Sequence, residues 1–184
     1  MSVQRRYTSR DLEDLPHVEG TRYEIIDGEL HVSSQPSWNH QRACSRITGA
    51  LNVWNDETGL GEATEAPGVI FAEDDDVAPD IVWISKGRLE GALDDAGHLT
   101  VAPELVVEVL SPGSANACRD RVLKLALYSR QAVDEYWIVD CRLRTVPVFR
   151  RAGDALELAA TLVDDDALTS PLLPGFSCPL RRLW

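Results

Sequence analysis

An α/β fold is predicted by three features of the chain. The segment from Arg22 to Val32 alternates apolar and polar residues around Asp27-Gly28, and an Asp-Gly link between two such runs is a strong hairpin signal. Two further segments repeat apolar residues at a helical period, the first through Ala43, Ile47, Ala50, Leu51 and Trp54. Short runs rich in Val, Ile, Tyr and Trp stand on both sides of each helical segment. The expectation is one α/β domain over residues 1–184, with a mixed central β-sheet flanked by two main helices and an N-terminal β-hairpin.

Taken in order, the hairpin comes first, because Asp and Gly tolerate the positive φ its turn requires. The long helix that follows has Ser37 or Asn39 as candidate N-cap and Gly59 just beyond its end. Strands are expected at Gly68–Ala72, Asp80–Ser85 and Glu104–Leu110. Lys86 to Thr100 is rich in Gly and Asp and poor in apolar residues, which reads as a surface loop. The acidic run Glu73 to Asp76 reads as a solvated connection. A second helix is expected from about Asn116 to Arg130, with Asp120, Lys124 and Tyr128 on one stripe and Leu123, Ala126 and Leu127 toward the core. Strands then follow at Glu135–Asp140, Arg144–Phe149 and Leu156–Val163.

Composition excludes several classes. The hydrophobic fraction of 44% and charged fraction of 26% are those of an ordinary globular domain. No apolar run is long enough to cross a bilayer, and the residues after Met1 lack the apolar stretch of a signal peptide, so a cytoplasmic protein without membrane contact is expected. Cys44, Cys118, Cys141 and Cys178 are widely spaced with no CxxC pair, which argues against both a zinc site and a disulfide framework. A net charge of −12 means that any contact with DNA must rest on a local basic patch. Arg142, Arg144, Arg150 and Arg151 are the candidates.

The chemistry is concentrated in "PELVVEVLS", residues 103–111, where Glu108 interrupts an aliphatic run. An ionised carboxylate buried there must be protonated, paired, bound to a metal or placed at the lip of a cleft. Asp80 opens another apolar run directly after Pro79. Two carboxylates on neighbouring strands suit Mg²⁺ or Mn²⁺, hard cations that take oxygen ligands and keep waters for substrate. Lys124 is one of two lysines in the chain, the other being Lys86. Among so many arginines, its compact ammonium suggests a point charge for a water or a phosphoryl oxygen.

Together, "RYEIIDGEL" (22–30), "PSWNH" (36–40), "PD" (79–80), "VVEVLSP" (106–112) and "DRVLKLALYSRQAVDEYWIVD" (120–140) resemble the Uma-two family of putative restriction endonucleases, within the PD-(D/E)XK nuclease superfamily. The resemblance spans about Arg22 to Arg150. It implies a restriction-endonuclease-like core and metal-dependent hydrolysis of DNA, with Asp80, Glu108 and the Val109 main-chain carbonyl on the metal. It further implies Lys124 as the activating lysine and Glu24 as a possible addition to the metal shell. The superfamily's lysine two residues after the Glu is absent, since Leu110 stands there, and the lysine of this family is carried instead on the following helix. His40 is read as a packing or capping residue near the site. Cutting both strands implies a homodimer. Two rivals remain at this stage: a nuclease fold retained as a catalytically inactive binding or regulatory protein, and a metal-free acid/base hydrolase using Asp80 and Glu108.

Overall fold

The computed structural model describes residues 5–111 and 119–184. The Asn116 helix start, Pro112 and Cys118 lie outside them. Among the described residues there are twelve strands: β1 (Arg22–Ile26), β2 (Glu29–Ser33), β3 (Gly61–Glu65), β4 (Val69–Ala72), β5 (Asp75–Val77), β6 (Ile81–Ser85), β7 (Leu105–Val109), β8 (Glu135–Val139), β9 (Thr145–Ala152), β10 (Ala155–Val163), β11 (Ala167–Ser170) and β12 (Leu173–Pro179). The α-helices are α1 (Ser9–Glu13), α2 (Trp38–Thr58), α3 (Lys86–Leu89) and α4 (Lys124–Arg130). A π-helical turn, Arg119–Leu123, leads directly into α4.

The central sheet has the order β10-β9-β8-β7-β6-β3. It is mixed, because β7 and β8 run parallel while its other pairs are antiparallel. A parallel pair needs a crossover, and the segment between β7 and β8, which contains the π-helical turn and α4, supplies it. The predicted hairpin forms at Asp27-Gly28, with φ of 52° and 75°. It belongs to a separate four-stranded sheet, β2-β1-β5-β4.

Side chains alternate across β7 as expected. Leu105, Val107 and Val109 join the core beneath α2 and the β11–β12 hairpin, with Ile47, Leu51, Trp54 and Phe176. Val106 and Leu110 join the opposite core, with Ile26, Val77, Leu127 and Tyr128. Helix α2 is capped as its ends predict: the Ser37 side chain accepts from the His40 backbone N–H, and Gly59 closes the helix in the left-handed conformation at φ 64°.

Three local expectations need correction. The acidic run is not a solvated loop throughout, because Asp75 starts β5, is buried, accepts from the Asp27 N–H and pairs with Arg130 at 2.8 Å. The 86–100 segment is anchored by α3 and by buried Ala92 and Leu99. Ala126 is exposed, while Lys124 takes a core-facing position beside Leu127 and Tyr128. No helix among the described residues is long and apolar enough to cross a membrane.

Candidate active site

The antiparallel register of β6 and β7 pairs Ile81 with Val107. Extended by one residue, it sets Asp80 across from Glu108. The two carboxylates therefore meet where β6 begins and β7 ends. They line a cleft of about 450 Å³ together with His40, Val109, Arg119 and Lys124.

Asp80 is held from three sides. One carboxylate oxygen accepts from the Val109 N–H at 2.9 Å and lies 3.0 Å from His40 Nε2, while the other accepts from Arg22 at 3.2 Å. Burial works to raise its pKa. The hydrogen bond and charge of His40, the Lys124 charge and the Val109 N–H outweigh it, bringing Asp80 down to about 2. His40 moves up in turn, because its bond to Asp80 overcomes the penalty of burial. Its Nδ1 lies 3.0 Å from Gln41 Oε1 and 3.6 Å from Cys44 Sγ. His40, Cys44 and Asp80 place one ligand atom each within 4.8 Å of one another. Burial pushes the Cys44 thiol well up, so it is a poor thiolate donor.

Glu108 lies on the other side of Asp80 and is 2% exposed. One of its oxygens accepts from Lys124 Nζ and from the Tyr128 hydroxyl, each at 2.8 Å. Lys124, 1% exposed, is gripped a second time by Glu24 at 2.8 Å. Glu24 also accepts from the Ala78 N–H and lies 3.7 Å from Arg119. It does not line the cleft; it stands behind Lys124. Burial would raise Glu24, but the Lys124 and Arg119 charges hold it below the usual carboxylate range. Glu108 goes the other way. Burial first, then the Asp80, Asp120 and Glu24 charges, push it up to about 8 against the pull of Lys124. The directions differ because Glu24 faces both Lys124 and Arg119 and accepts from the Ala78 N–H, whereas buried Glu108 meets one dominant cation and three anions.

The π-helical turn has a direct geometric effect. Its i→i+5 bonding stacks residues five apart, so Arg119 and Lys124 lie on one side and both reach Glu24. In a regular α-helix these two positions would diverge. Asp80, Glu108, Val109 and Lys124 thus line one cleft, with Glu24 just behind Lys124. His40, Arg22 and Arg119 also line the cleft, a role not legible in their sequence context. The signal for His40 was its place in "PSWNH" at the start of α2; for Arg119 there was none, because the π turn has no periodic signature. The proposed basic patch divides. Arg142 and Arg144 lie in the β8–β9 turn, at the Val109 end of the sheet. Arg150 pairs with Glu135 and Arg151 donates to the carbonyls of Val133 and Ser129, toward the far end.

Residues 10–181 match the family model Uma2, described as "Putative restriction endonuclease". The fold is similar to the crystal structure of a putative nuclease belonging to DUF820 from Anabaena variabilis ATCC 29413. The TM-score is 0.74 at 18% identity, over 96% of each chain. A weaker likeness, TM-score 0.43 at 17% identity, covers 82% of this chain and 16% of the type IIG restriction endonuclease BpuSI. No curated protein matches the chain in sequence.

Proposed function

The chain belongs to the Uma2 family of putative restriction endonucleases, and from that premise we propose that it is a metal-dependent endonuclease that hydrolyses DNA phosphodiester bonds at the Asp80–Glu108 cleft. The observation that carries this reading is the convergence of two buried carboxylates from neighbouring strands with a fully buried lysine, 2.8 Å from one of them, at the wall of an open cleft.

The donor set fits a hard divalent cation. Asp80, Glu108 and the Val109 carbonyl offer oxygens, while His40 Nε2, 3.0 Å from Asp80, orients that carboxylate. Burial, and after it the charges of Asp80, Asp120 and Glu24, push Glu108 up to about 8, a cost to its charged form that a further positive charge would relieve. Glu24 is committed to Lys124 and Arg119, so its role here is to anchor those cations. When bound, Mg²⁺ or Mn²⁺ supplies Lewis acidity toward the phosphate and lowers the pKa of a coordinated water.

The chain's own residues do the rest. Lys124, kept protonated by its carboxylates, cannot act as a base; it offers a fixed positive donor to the attacking water or to the oxygens that gain charge in the transition state. Tyr128 donates to Glu108 and fixes the orientation of that carboxylate. Arg119 and Arg22 line the same cleft, where guanidinium groups can meet the non-bridging oxygens of a phosphate. A homodimer accompanies this reading where both strands of a duplex are cut.

Two expected results test the proposal. Affinity for Mn²⁺ measured by calorimetry should rise with pH and level off above about pH 8, because below that point binding must displace the proton on Glu108. An affinity independent of pH between about 6 and 8.5 would remove Glu108 from the ligand set. Second, DNA binding should weaken steeply with salt, and Arg142→Ala with Arg144→Ala should make that dependence shallower, since each phosphate contact contributes about one unit of slope. An unchanged slope would place the DNA elsewhere.

A further inference from the structure

Helix α2 carries a feature that hydrolysis at the cleft does not use. In a chain of net charge −12, its residues 38–55 contain no Asp or Glu. Trp38, Arg42 and Arg46 follow one another at i, i+4 and i+8, on the side away from the buried stripe of Ala43, Ile47 and Leu51. Trp38 is 80% exposed. It sits between Ser37 and His40, both of which line the cleft.

The β8–β9 turn lies against the same end of the helix, where the Cys141 thiol approaches the Asn39 carbonyl at 3.8 Å. That turn presents Arg142 and Arg144 to solvent. Its carboxylate, Asp140, is already satisfied by Arg121 at 2.9 Å and by the N–H groups of Arg142 and Leu143. Among the described residues none of Arg42, Arg46, Arg142 and Arg144 is in an ion pair. Arg42 is partly buried, and among the described residues its buried Nε has no hydrogen-bond partner. An exposed indole flanked by unneutralised arginines is the combination with which proteins hold unpaired nucleic-acid strands, the bases on the ring and the phosphates on the charges.

Building on the nuclease reading, we propose that Trp38 is a stacking platform for an unpaired base beside the scissile phosphate, and that this face of α2 with the β8–β9 turn tracks a single DNA strand into the cleft. The preferred substrate is then single-stranded or locally unpaired DNA. Closed duplex offers Trp38 only a backbone and groove edges, since the face of each base is covered by its neighbours.

The test uses the full chain in EDTA, so that binding is read apart from hydrolysis. Of the five tryptophans, Trp54, Trp83 and Trp137 are buried and Trp184 is partly so, so emission accessible to a bound strand comes mainly from Trp38. A short oligothymidylate should quench that emission, and Trp38→Ala should abolish the quench. The same change should weaken oligothymidylate binding, followed by anisotropy, on the order of tenfold, while leaving duplex binding unchanged. Trp38→Phe should restore most of the affinity, and Arg42→Ala should weaken both ligands alike. Preserved far-ultraviolet circular dichroism separates these effects from misfolding. Tight strand binding without a quench, or equal losses for strand and duplex in Trp38→Ala, would overturn the proposal, as would a chain that binds no DNA. Quench and preference as expected, with no cleavage once Mn²⁺ is added, would uphold this surface and refute the nuclease reading alone.

Discussion

Lys124→Ala is expected to lower single-turnover cleavage of DNA in Mn²⁺ by a hundredfold or more, roughly the loss that follows removal of one electrostatic stabiliser. The same substitution should also destabilise the fold. Lys124 is 1% exposed and lies 2.8 Å from both Glu24 and Glu108, and removing one partner of a buried ion pair costs about 3–5 kcal/mol because the other charge is left behind. Lys124→Met with Glu24→Gln removes most of that penalty, since an uncharged amide then faces an uncharged chain. If the double variant melts near the wild type and still cleaves a hundredfold more slowly, the lysine acts on the reaction. A double variant that is stable and fully active would reduce Lys124 to a structural cation. Lys124→Arg should not restore the rate, because a planar guanidinium does not fit the two-carboxylate grip of a compact ammonium.

The second large effect separates the two acidic residues. Asp80→Asn and Glu108→Gln should each weaken Mn²⁺ binding at least tenfold, which corresponds to about 1.4 kcal/mol or more, yet their effects on stability should have opposite signs. Asp80 titrates near 2 instead of its ordinary 3.8, so its charge contributes stability that is fully present above about pH 4 and is lost as pH falls toward 2. At about 1.36 kcal/mol per unit, Asp80→Asn should cost about 2 kcal/mol at neutral pH. Glu108 is raised, so the protonated form is the favoured one in the fold. That advantage is complete below its ordinary pKa and disappears as pH rises through about 8. Glu108→Gln should therefore melt higher than the wild type above about pH 8. Thermal unfolding of both variants without metal reads the signs directly, and a loss of stability in Glu108→Gln under those conditions would contradict the charge balance described for the cleft.

Much of the frame was legible because it is written in local chemistry. Asp27-Gly28 specifies its turn, Ser37 and Gly59 bound α2, and the aliphatic runs of β6, β7 and β8 can lie only in a covered sheet. In the second sheet β1, β2 and β4 were legible and β5 was not. Asp75 becomes a strand residue only because Arg130 and the Asp27 N–H, far away in the chain, satisfy its carboxylate. Nor did the C-terminal hairpin of β11 and β12 announce itself, since Ala167–Ser170 and Leu173–Pro179 carry weak alternation. The site divides in the same way. Asp80 and Glu108 were visible as acids out of place in apolar runs, whereas the reach of His40 to Asp80 and of Glu24 to Lys124 depends on how α2 and β1 are laid against the central sheet, a placement no local pattern encodes.

The crossover between β7 and β8 carries a temporal consequence. It is the connection that allows those two strands to run parallel, and it also bears Lys124, whose two carboxylate partners come from β7 and from the separate hairpin sheet. Contacts between residues distant along the chain form late, because the closure of long loops must be offset before they contribute. The full grip on Lys124 is therefore expected only once the hairpin sheet that carries Glu24 docks on the crossover. Refolding followed by recovery of activity should then lag behind refolding followed by the fluorescence of Trp54 and Trp83, which pack between α2 and β6 at 5.9 Å between ring centres.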